Sequence, residues 1–163
     1  MFSEAIDTLG FFDAGGLANI NSFIDNYTNY GSRTTLYGAC QVGINMLDAF
    51  SQKGVKTLIV FTDGGDNNTN NPQSVLSSIQ SNSYPKYAIG LDGKDFRKDN
   101  LKQIASSSDN LFVAKNISDL KTAFDEVSNL VSTIYKFSYL RSKQTLDPSG
   151  IKIKFEFNVE KLN

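Results

Sequence analysis

The feature that most constrains the fold is the β-branched, nearly continuous apolar run at residues 55–62, which ends in Asp63-Gly64-Gly65-Asp66. A run of this kind is typical of a strand that is buried on both faces, as in a parallel sheet. The acidic residues and glycines that follow it are turn formers. The sequence therefore predicts a fully buried strand with a loop at its carboxyl end.

Strand and helix patterns alternate along the chain. Short apolar runs predict further strands at residues 87–91 and 111–114, and residues 9–12 are a weaker candidate. Apolar residues at helical spacing predict helices after the 31–39 loop, after Asn71-Pro72, at 101–105 and over 118–134. This alternation favours an α/β fold with an open, mostly parallel, Rossmann-like sheet flanked by helices.

Two details of the helices can be predicted. Asn71 followed by Pro72 marks a helix start, with Asn71 as the N-cap and Pro72 at the first helical position. In the helix after the 31–39 loop, the residues expected to face the core are Ala39, Val42, Met46, Leu47 and Phe50.

The C-terminal residues predict a β-hairpin. Apolar and polar residues alternate strictly over 151–159, a period that indicates a strand with one solvated face. Residues 135–139 alternate similarly, and Asp147-Pro148-Ser149-Gly150 supplies a turn between the two runs. We therefore predict an α/β domain at 1–134 and a hairpin at 135–163 that packs on it or extends it.

Composition excludes several classes of function. The 163 residues include no His, which rules out His-dependent nucleophiles and His-ligated zinc. The formal net charge of −1 leaves no cationic surplus for nucleic acid. The single Cys40 cannot form an internal disulfide, and we expect it in the core. The sequence predicts neither a membrane span, since no apolar run approaches about 18 residues, nor a signal peptide at its start.

Two loops are candidates for binding, because open α/β sheets bind ligands beyond the carboxyl ends of their strands. The 31–39 loop carries Thr34 ahead of a helix, and the 61–67 loop carries Asp63. Hydroxyl and carboxylate oxygens are the ligands that Mg²⁺ and Ca²⁺ prefer. Residues 66–71 are expected to lie in solvated loop.

At these residues the sequence resembles the von Willebrand factor type A (VWA) domain family, in a bacterial-type form. The strand at 58–61 with Thr62-Asp63-Gly64 is similar to the family's third metal-site motif, and the loop around Thr34 is similar to its second. Five further segments of the chain are similar to the later elements of the family: residues 87–91, 101–106, 111–114, 120–124 and 135–139. The resemblance extends from about Gly31 to Tyr139.

The resemblance implies a non-enzymatic protein-interaction or adhesion module. Family members hold a divalent cation, Mg²⁺ or alternatively Mn²⁺ or Ca²⁺, at a metal-ion-dependent adhesion site, and an acidic side chain of the protein partner completes the coordination shell. Carried over to this chain, the resemblance implies Thr34 as the hydroxyl ligand and Asp63 as the carboxylate ligand, with Thr35 as the alternative to Thr34. It also implies a location at the cell surface, in the periplasm or in secretions.

One family motif is missing from the sequence. The Asp-x-Ser-x-Ser motif, which supplies most of the family's ligands, occurs nowhere, and the nearest match at 147–151 lacks the final Ser. We therefore expect the chain to lack the family's first strand and helix. One hydroxyl and one carboxylate are also too few for tight binding of Mg²⁺ or Ca²⁺, which take six or more oxygens.

Two other functions stay open. An α/β enzyme of the phosphoryl-transfer type could use Asp63 with Mg²⁺, but no Gly-x-x-x-x-Gly-Lys-Ser/Thr phosphate loop accompanies it. A VWA subunit of an ATPase-associated complex would share the same fold. We predict the non-enzymatic interaction module.

Overall fold

The computed structural model describes residues 1–28, 31–52 and 54–132, apart from the side chain of Ala14. The predicted hairpin at 135–163, and with it the predicted domain boundary at residue 134, lie outside these described residues.

Five α-helices and three β-strands form the described part of the chain. The helices are α1 (Leu17–Asp25), α2 (Leu36–Ala49), α3 (Pro72–Ser81), α4 (Lys98–Ile104) and α5 (Ile117–Ser132). The strands are β1 (Leu58–Thr62), β2 (Lys86–Leu91) and β3 (Leu111–Ala114). Within the described ranges, no helix has the length and apolar character needed to cross a membrane.

The strands form a parallel sheet in the order β1-β2-β3. Val60 of β1 is in register with Ala88 of β2, and Gly90 of β2 is in register with Val113 of β3. Helix α3 connects the first pair of strands and α4 connects the second. The predicted parallel sheet with flanking helices is therefore confirmed, and all the carboxyl ends of its strands lie at one edge.

Two lysines join the ends of helices to the strands that follow them. The Lys56 ammonium donates to the Leu47 and Phe50 carbonyls at the end of α2, at 2.6 and 2.8 Å. Lys86, at the start of β2, donates to the carbonyl of Asn82, the C-cap of α3, at 2.6 Å and to the Tyr84 carbonyl in the loop beyond it at 2.9 Å. Each lysine thus satisfies the carbonyl of a helix C-cap residue, Phe50 for Lys56 and Asn82 for Lys86, which the helix itself leaves unpaired.

Helices α2, α3 and α4 bury the main core against one face of the sheet. The residues buried there are Leu36, Tyr37, Cys40, Ile44, Val60, Leu76, Ile79, Ala88, Leu101 and Ile104. Cys40 is therefore a core residue, and burial raises the pKa of its thiol to about 12. A thiol that keeps its proton in this way is a poor nucleophile.

The inward face of α2 differs from the prediction. Its buried residues are Leu36, Tyr37, Cys40 and Ile44. The residues predicted to face the core, Ala39, Val42, Met46, Leu47 and Phe50, are only half-buried. Apolar residues occur around most of this helix, so periodicity alone did not identify the side that packs on the sheet.

Helix α5 packs on the opposite face of the sheet. The residues buried there are Ile89, Ala123 and Val127. Ile59 and Phe61 of β1 also project on this side, and they are 44% and 39% exposed, although the Phe61 ring contacts the Phe124 ring at 5.7 Å. The prediction that this strand is buried on both faces is therefore wrong. The reason is that β1 is an edge strand of the described sheet and α5 covers this face only in part.

The N-terminal region also differs from the prediction. Residues 9–12 are irregular, so the strand suggested there is wrong, and the Phe11 ring instead stacks on Phe50 at 4.6 Å. Helix α1, which follows Gly15-Gly16, buries none of its residues and was not predicted. In α3, Pro72 begins the helix and Asn71 is its N-cap residue, as predicted, although Asn71 has a left-handed backbone with φ 50° and makes no side-chain cap bond.

Candidate functional site

A cleft of about 480 Å³ opens at the carboxyl edge of the sheet. Three loops line it: residues from 31–34 ahead of α2, 63–67 after β1 and 91–97 after β2. The two candidate loops identified from the sequence therefore border the same cavity. The sequence did not identify the 91–97 loop as part of a site, because no residue type within it distinguishes it from an ordinary connecting loop.

Thr34 and Asp63, the predicted metal ligands, both line this cleft. The Thr34 hydroxyl oxygen lies 3.1 Å from the point that a Cβ would occupy at Gly64, the residue directly after Asp63. A side chain at position 64 would press against this hydroxyl, so the glycine permits the close approach of the two loops. Asp63 is exposed, and no group of the described residues hydrogen-bonds to its carboxylate or to the Thr34 hydroxyl. That Thr34 and Asp63 bind a metal ion remains a prediction.

Thr35, the alternative ligand, is used for another purpose. Its hydroxyl donates to the Ser3 carbonyl at 2.7 Å and accepts from the Asn68 side-chain amide at 2.9 Å. Its backbone N–H also donates to the Ser3 carbonyl, at 2.9 Å. Thr35 does not line the cleft. Two adjacent threonines therefore have different roles, one at the cleft and one as an anchor for the N-terminal segment.

Asp66 and Thr69 cap helix α2 from a distant loop. The Asp66 carboxylate accepts the Tyr37 backbone N–H at 3.0 Å and also accepts the Thr69 hydroxyl. That hydroxyl in turn accepts the Gly38 backbone N–H at 3.1 Å. The N-cap residue of α2, Thr35, makes no such bond itself. Asp66 thus satisfies a helix N-terminus, where a negative charge is stabilising, and the expectation that it is merely solvated is wrong.

Asn100 connects this cap to α4. Its side-chain oxygen accepts the Asp66 backbone N–H at 3.0 Å, and its side-chain amide donates to the Tyr37 hydroxyl at 2.6 Å. Burial, followed by the nearby Asp66 charge, raises the pKa of Tyr37, while the bond from Asn100 opposes that rise. Bonds between residues so far apart in sequence leave no local sequence signal, which is why Asn100 was missed.

The walls of the cleft carry charges of both signs. Besides Asp63, the exposed side chains include the carboxylates of Asp92 and Asp95 and the cations Lys94 and Arg97. Arg97 also packs over Gly65, where a Cβ would come within 2.4 Å of its Cγ. The surface therefore offers contacts to both acidic and basic groups of a ligand.

The described residues do not by themselves complete a cation site. Mg²⁺ and Ca²⁺ take six or more oxygen ligands. Thr34 and Asp63 offer one hydroxyl and one carboxylate, and Asp66 is already used as a helix cap. Across the described ranges, no group of three or more His, Cys, Asp or Glu residues is placed to share a metal ion.

Comparisons with known proteins agree with the fold. The model of a family described as von Willebrand factor type A domain matches residues 3–126. Proximal thread matrix protein 1 from the mussel byssus is similar over 70% of this chain, with 25% identity and a TM-score of 0.58. A second crystal form of that protein matches over 69% of this chain, with 25% identity and a TM-score of 0.56.

A third structure of the mussel protein has zinc in its MIDAS motif, the metal-ion-dependent adhesion site. It matches 69% of this chain with a TM-score of 0.58, and at 24% identity the likeness is one of fold. This chain covers only 29–30% of the mussel protein chains. No curated protein sequence matches this chain.

Proposed function

Because the chain belongs to the von Willebrand factor type A domain family, we propose that it is a protein-interaction module that binds its partner at the cleft of Thr34 and Asp63. The observation that carries the proposal is the contrast between these two side chains and their neighbours. Thr35, Asp66 and Thr69 are engaged in bonds within the described structure, whereas the Thr34 hydroxyl and the Asp63 carboxylate face the cleft without such bonds. Polar groups left available in a concave site are the ones that can recognise a ligand.

The finer proposal is that the partner contributes an acidic side chain and that a divalent cation, such as Mg²⁺, joins it to this face. Asp63 alone would repel an acidic ligand, and a cation between the two carboxylates would remove that repulsion. Thr34 and Asp63 would contact the cation. The remaining oxygens would come from the partner, from water and from groups outside the described residues. The proposed location, at the cell surface, in the periplasm or in secretions, rests on the family resemblance.

A peptide selection tests this function without a known partner. Random peptides displayed on phage would be selected on the immobilised chain in Mg²⁺ and then measured against purified variants. We expect enriched peptides to contain Asp or Glu, and their binding to be lost in Asp63→Asn and in Thr34→Val. Asp109→Asn, which removes an exposed carboxylate outside the cleft, is the matched control and should bind normally.

The same peptides test separately whether the cleft is the binding site and whether a cation is needed for binding. Loss of binding in EDTA would support the cation bridge. If binding persists in EDTA but is lost in Asp63→Asn, the cleft is still the binding site, and the interaction does not require a metal ion. Binding that is unaffected by Asp63→Asn and by Thr34→Val would overturn the choice of this cleft.

A further inference from the structure

Asn67 contacts Thr34 through two hydrogen bonds that join the two binding loops. The Asn67 side-chain oxygen accepts the Thr34 backbone N–H at 2.7 Å, and the Asn67 backbone N–H donates to the Thr34 carbonyl at 3.0 Å. One residue of the loop after β1 thus binds both backbone polar groups of the threonine. This pair of bonds resembles one rung of a β-ladder, except that a side chain supplies the acceptor.

The neighbouring bonds do not replace this pair. The cap formed by Asp66 and Thr69 bonds to Tyr37 and Gly38, which belong to α2 rather than to the loop ahead of it. Thr35 is held toward the N-terminal segment through Ser3. Within the described residues, the backbone polar groups of Thr34 therefore bond only to Asn67.

The position of Thr34 matters because its hydroxyl lies against the loop that carries Asp63. With the Thr34 oxygen only 3.1 Å from the Cβ point of Gly64, a small rotation of the Thr34 backbone would turn the hydroxyl away from the cleft or press it into the loop. Asn67 prevents that rotation by fixing the peptide groups on both sides of the Thr34 Cα.

We propose that Asn67 is a positioning residue that sets the spacing between the Thr34 hydroxyl and the Asp63 carboxylate. Asn67 also lines the cleft, but its proposed role is to hold Thr34 in place rather than to bind the partner. The inference rests on the proposed function, since it concerns the geometry of the same binding face. It assigns to the loop after β1 a second task besides carrying Asp63, namely to hold the opposite loop at a fixed distance.

Three variants test this role. Asn67→Ala removes the side-chain acceptor, and Asn67→Asp keeps an oxygen at the same place. Asn70→Ala is the matched control, because Asn70 is an exposed asparagine of the same loop for which the described structure has no hydrogen bond. The first readout is hydrogen exchange of the Thr34 amide, and the second is affinity for the selected acidic peptides, measured at high salt to screen the added charge of Asn67→Asp.

We expect Asn67→Ala to speed exchange of the Thr34 amide by about tenfold and to weaken peptide binding by a similar factor, as befits the loss of one hydrogen bond. Asn67→Asp should restore both, and Asn70→Ala should change neither. A general loss of stability would also speed exchange in the core of α3, whereas a local effect would be confined to the loop around Thr34.

The outcomes distinguish this inference from the function on which it rests. If the wild-type chain binds peptides through Asp63 but Asn67→Ala binds equally well, Asn67 has no positioning role and the interaction function stands. If exchange of the Thr34 amide is the same in the wild-type chain and in Asn67→Ala, the proposed restraint is wrong, whether or not the affinity for the peptides changes. If the wild-type chain selects no peptide that depends on Asp63 or Thr34, the proposed function fails, and the positioning role for it fails as well.

Discussion

The two faces of the sheet are packed to different degrees. Within the part of the chain that the structure describes, helices α2, α3 and α4 enclose a continuous cluster of ten buried residues on one face, whereas α5 buries a cluster of three on the other. On the α5 side, Ile59, Phe61 and Phe124 each leave about two fifths of their surface exposed. Hydrophobic stabilisation is roughly proportional to the apolar area removed from water, so most of it comes from the first face.

The candidate site depends on the well-packed face. Thr34 lies two residues before the start of α2, and the first two residues of that helix, Leu36 and Tyr37, are buried. The cap by Asp66 and the contact with Asn100 of α4 tie the same helix end to the loop after β1. The polar cleft is therefore supported by the packed helices on one side of the sheet, and the partly exposed apolar residues of β1 and α5 lie on the other.

The largest expected effect is a cavity in the first face. Ile79→Ala removes a side chain that is fully buried in α3, and we expect it to lower the free energy of unfolding by about 2–5 kcal/mol. Phe124→Ala on the α5 face is the comparison, and its half-exposed ring should cost clearly less. Urea denaturation of the full chain measures both. Equal losses in the two variants would show that the faces contribute alike.

The next effect concerns the cap that joins the site to this face. Asp66→Ala leaves the backbone N–H of Tyr37 and the hydroxyl of Thr69 without their acceptor. We expect a loss of about 1–2 kcal/mol, as for other helix N-caps, together with faster hydrogen exchange in the first turn of α2. Asn70→Ala in the same loop serves as the control. An unchanged first turn of α2 would mean that the helix is held by its packing alone.

The pH dependence of stability reports on the same core. The folded chain holds the Cys40 thiol proton up to a pKa of about 12, whereas the unfolded chain releases it near 9.0. The stabilisation from Cys40 is therefore complete below pH 9 and is lost progressively as the pH rises from 9 toward 12. Between pH 8 and pH 10 the loss should be about 1.4 kcal/mol.

Comparison with Cys40→Ala isolates this contribution from other groups. The pKa of Lys86 is lowered by burial, and this lysine acts in the opposite direction, because the unfolded chain binds its proton more tightly. Denaturant titrations at a series of pH values should give a steeper decline for the wild type than for the variant. Parallel curves would rule out Cys40 as the source.

The smallest effect is expected on the exposed side of β1. Ile59→Thr keeps a β-branched residue, and because the side chain is 44% exposed we expect a change below about 1 kcal/mol. Val60→Thr is the matched control on the other face, where the side chain is only 5% exposed and the new hydroxyl would be buried. Similar losses in the two variants would contradict the difference between the faces.

Much of the fold was predictable because its elements are encoded locally. The run of residues 111–114 is β3 without any change of bounds, and the amphipathic spacing from Ser118 identified α5. Pro72 predicted the start of α3 because its fixed φ suits the first helical turn. Each of these signals acts over a few residues and needs no distant partner.

The structure departs from the predictions where residues that are far apart in the sequence determine the bonds of a side chain. Asn71 is the N-cap residue of α3, as predicted, but its left-handed backbone leaves its side chain without a cap hydrogen bond. Asp66 looks like a loop residue, yet it caps a helix that begins thirty positions earlier in the chain. Whether a polar side chain is solvated or bonded depends on what the fold brings next to it, and no local pattern contains that information.

The sequence by itself determined the class of fold, the family and the two residue types at the candidate site, because strand and helix periodicity and the turn after β1 are properties of neighbouring residues. Only the tertiary structure decided which threonine faces the cleft, because Thr34 and Thr35 differ in their bonds to Asn67 and Ser3, which are far away along the chain. It also decided that one face of β1 stays partly exposed. Burial is a property of the whole assembly of elements, and a strand's own residues cannot specify how much of it the neighbouring helices will cover.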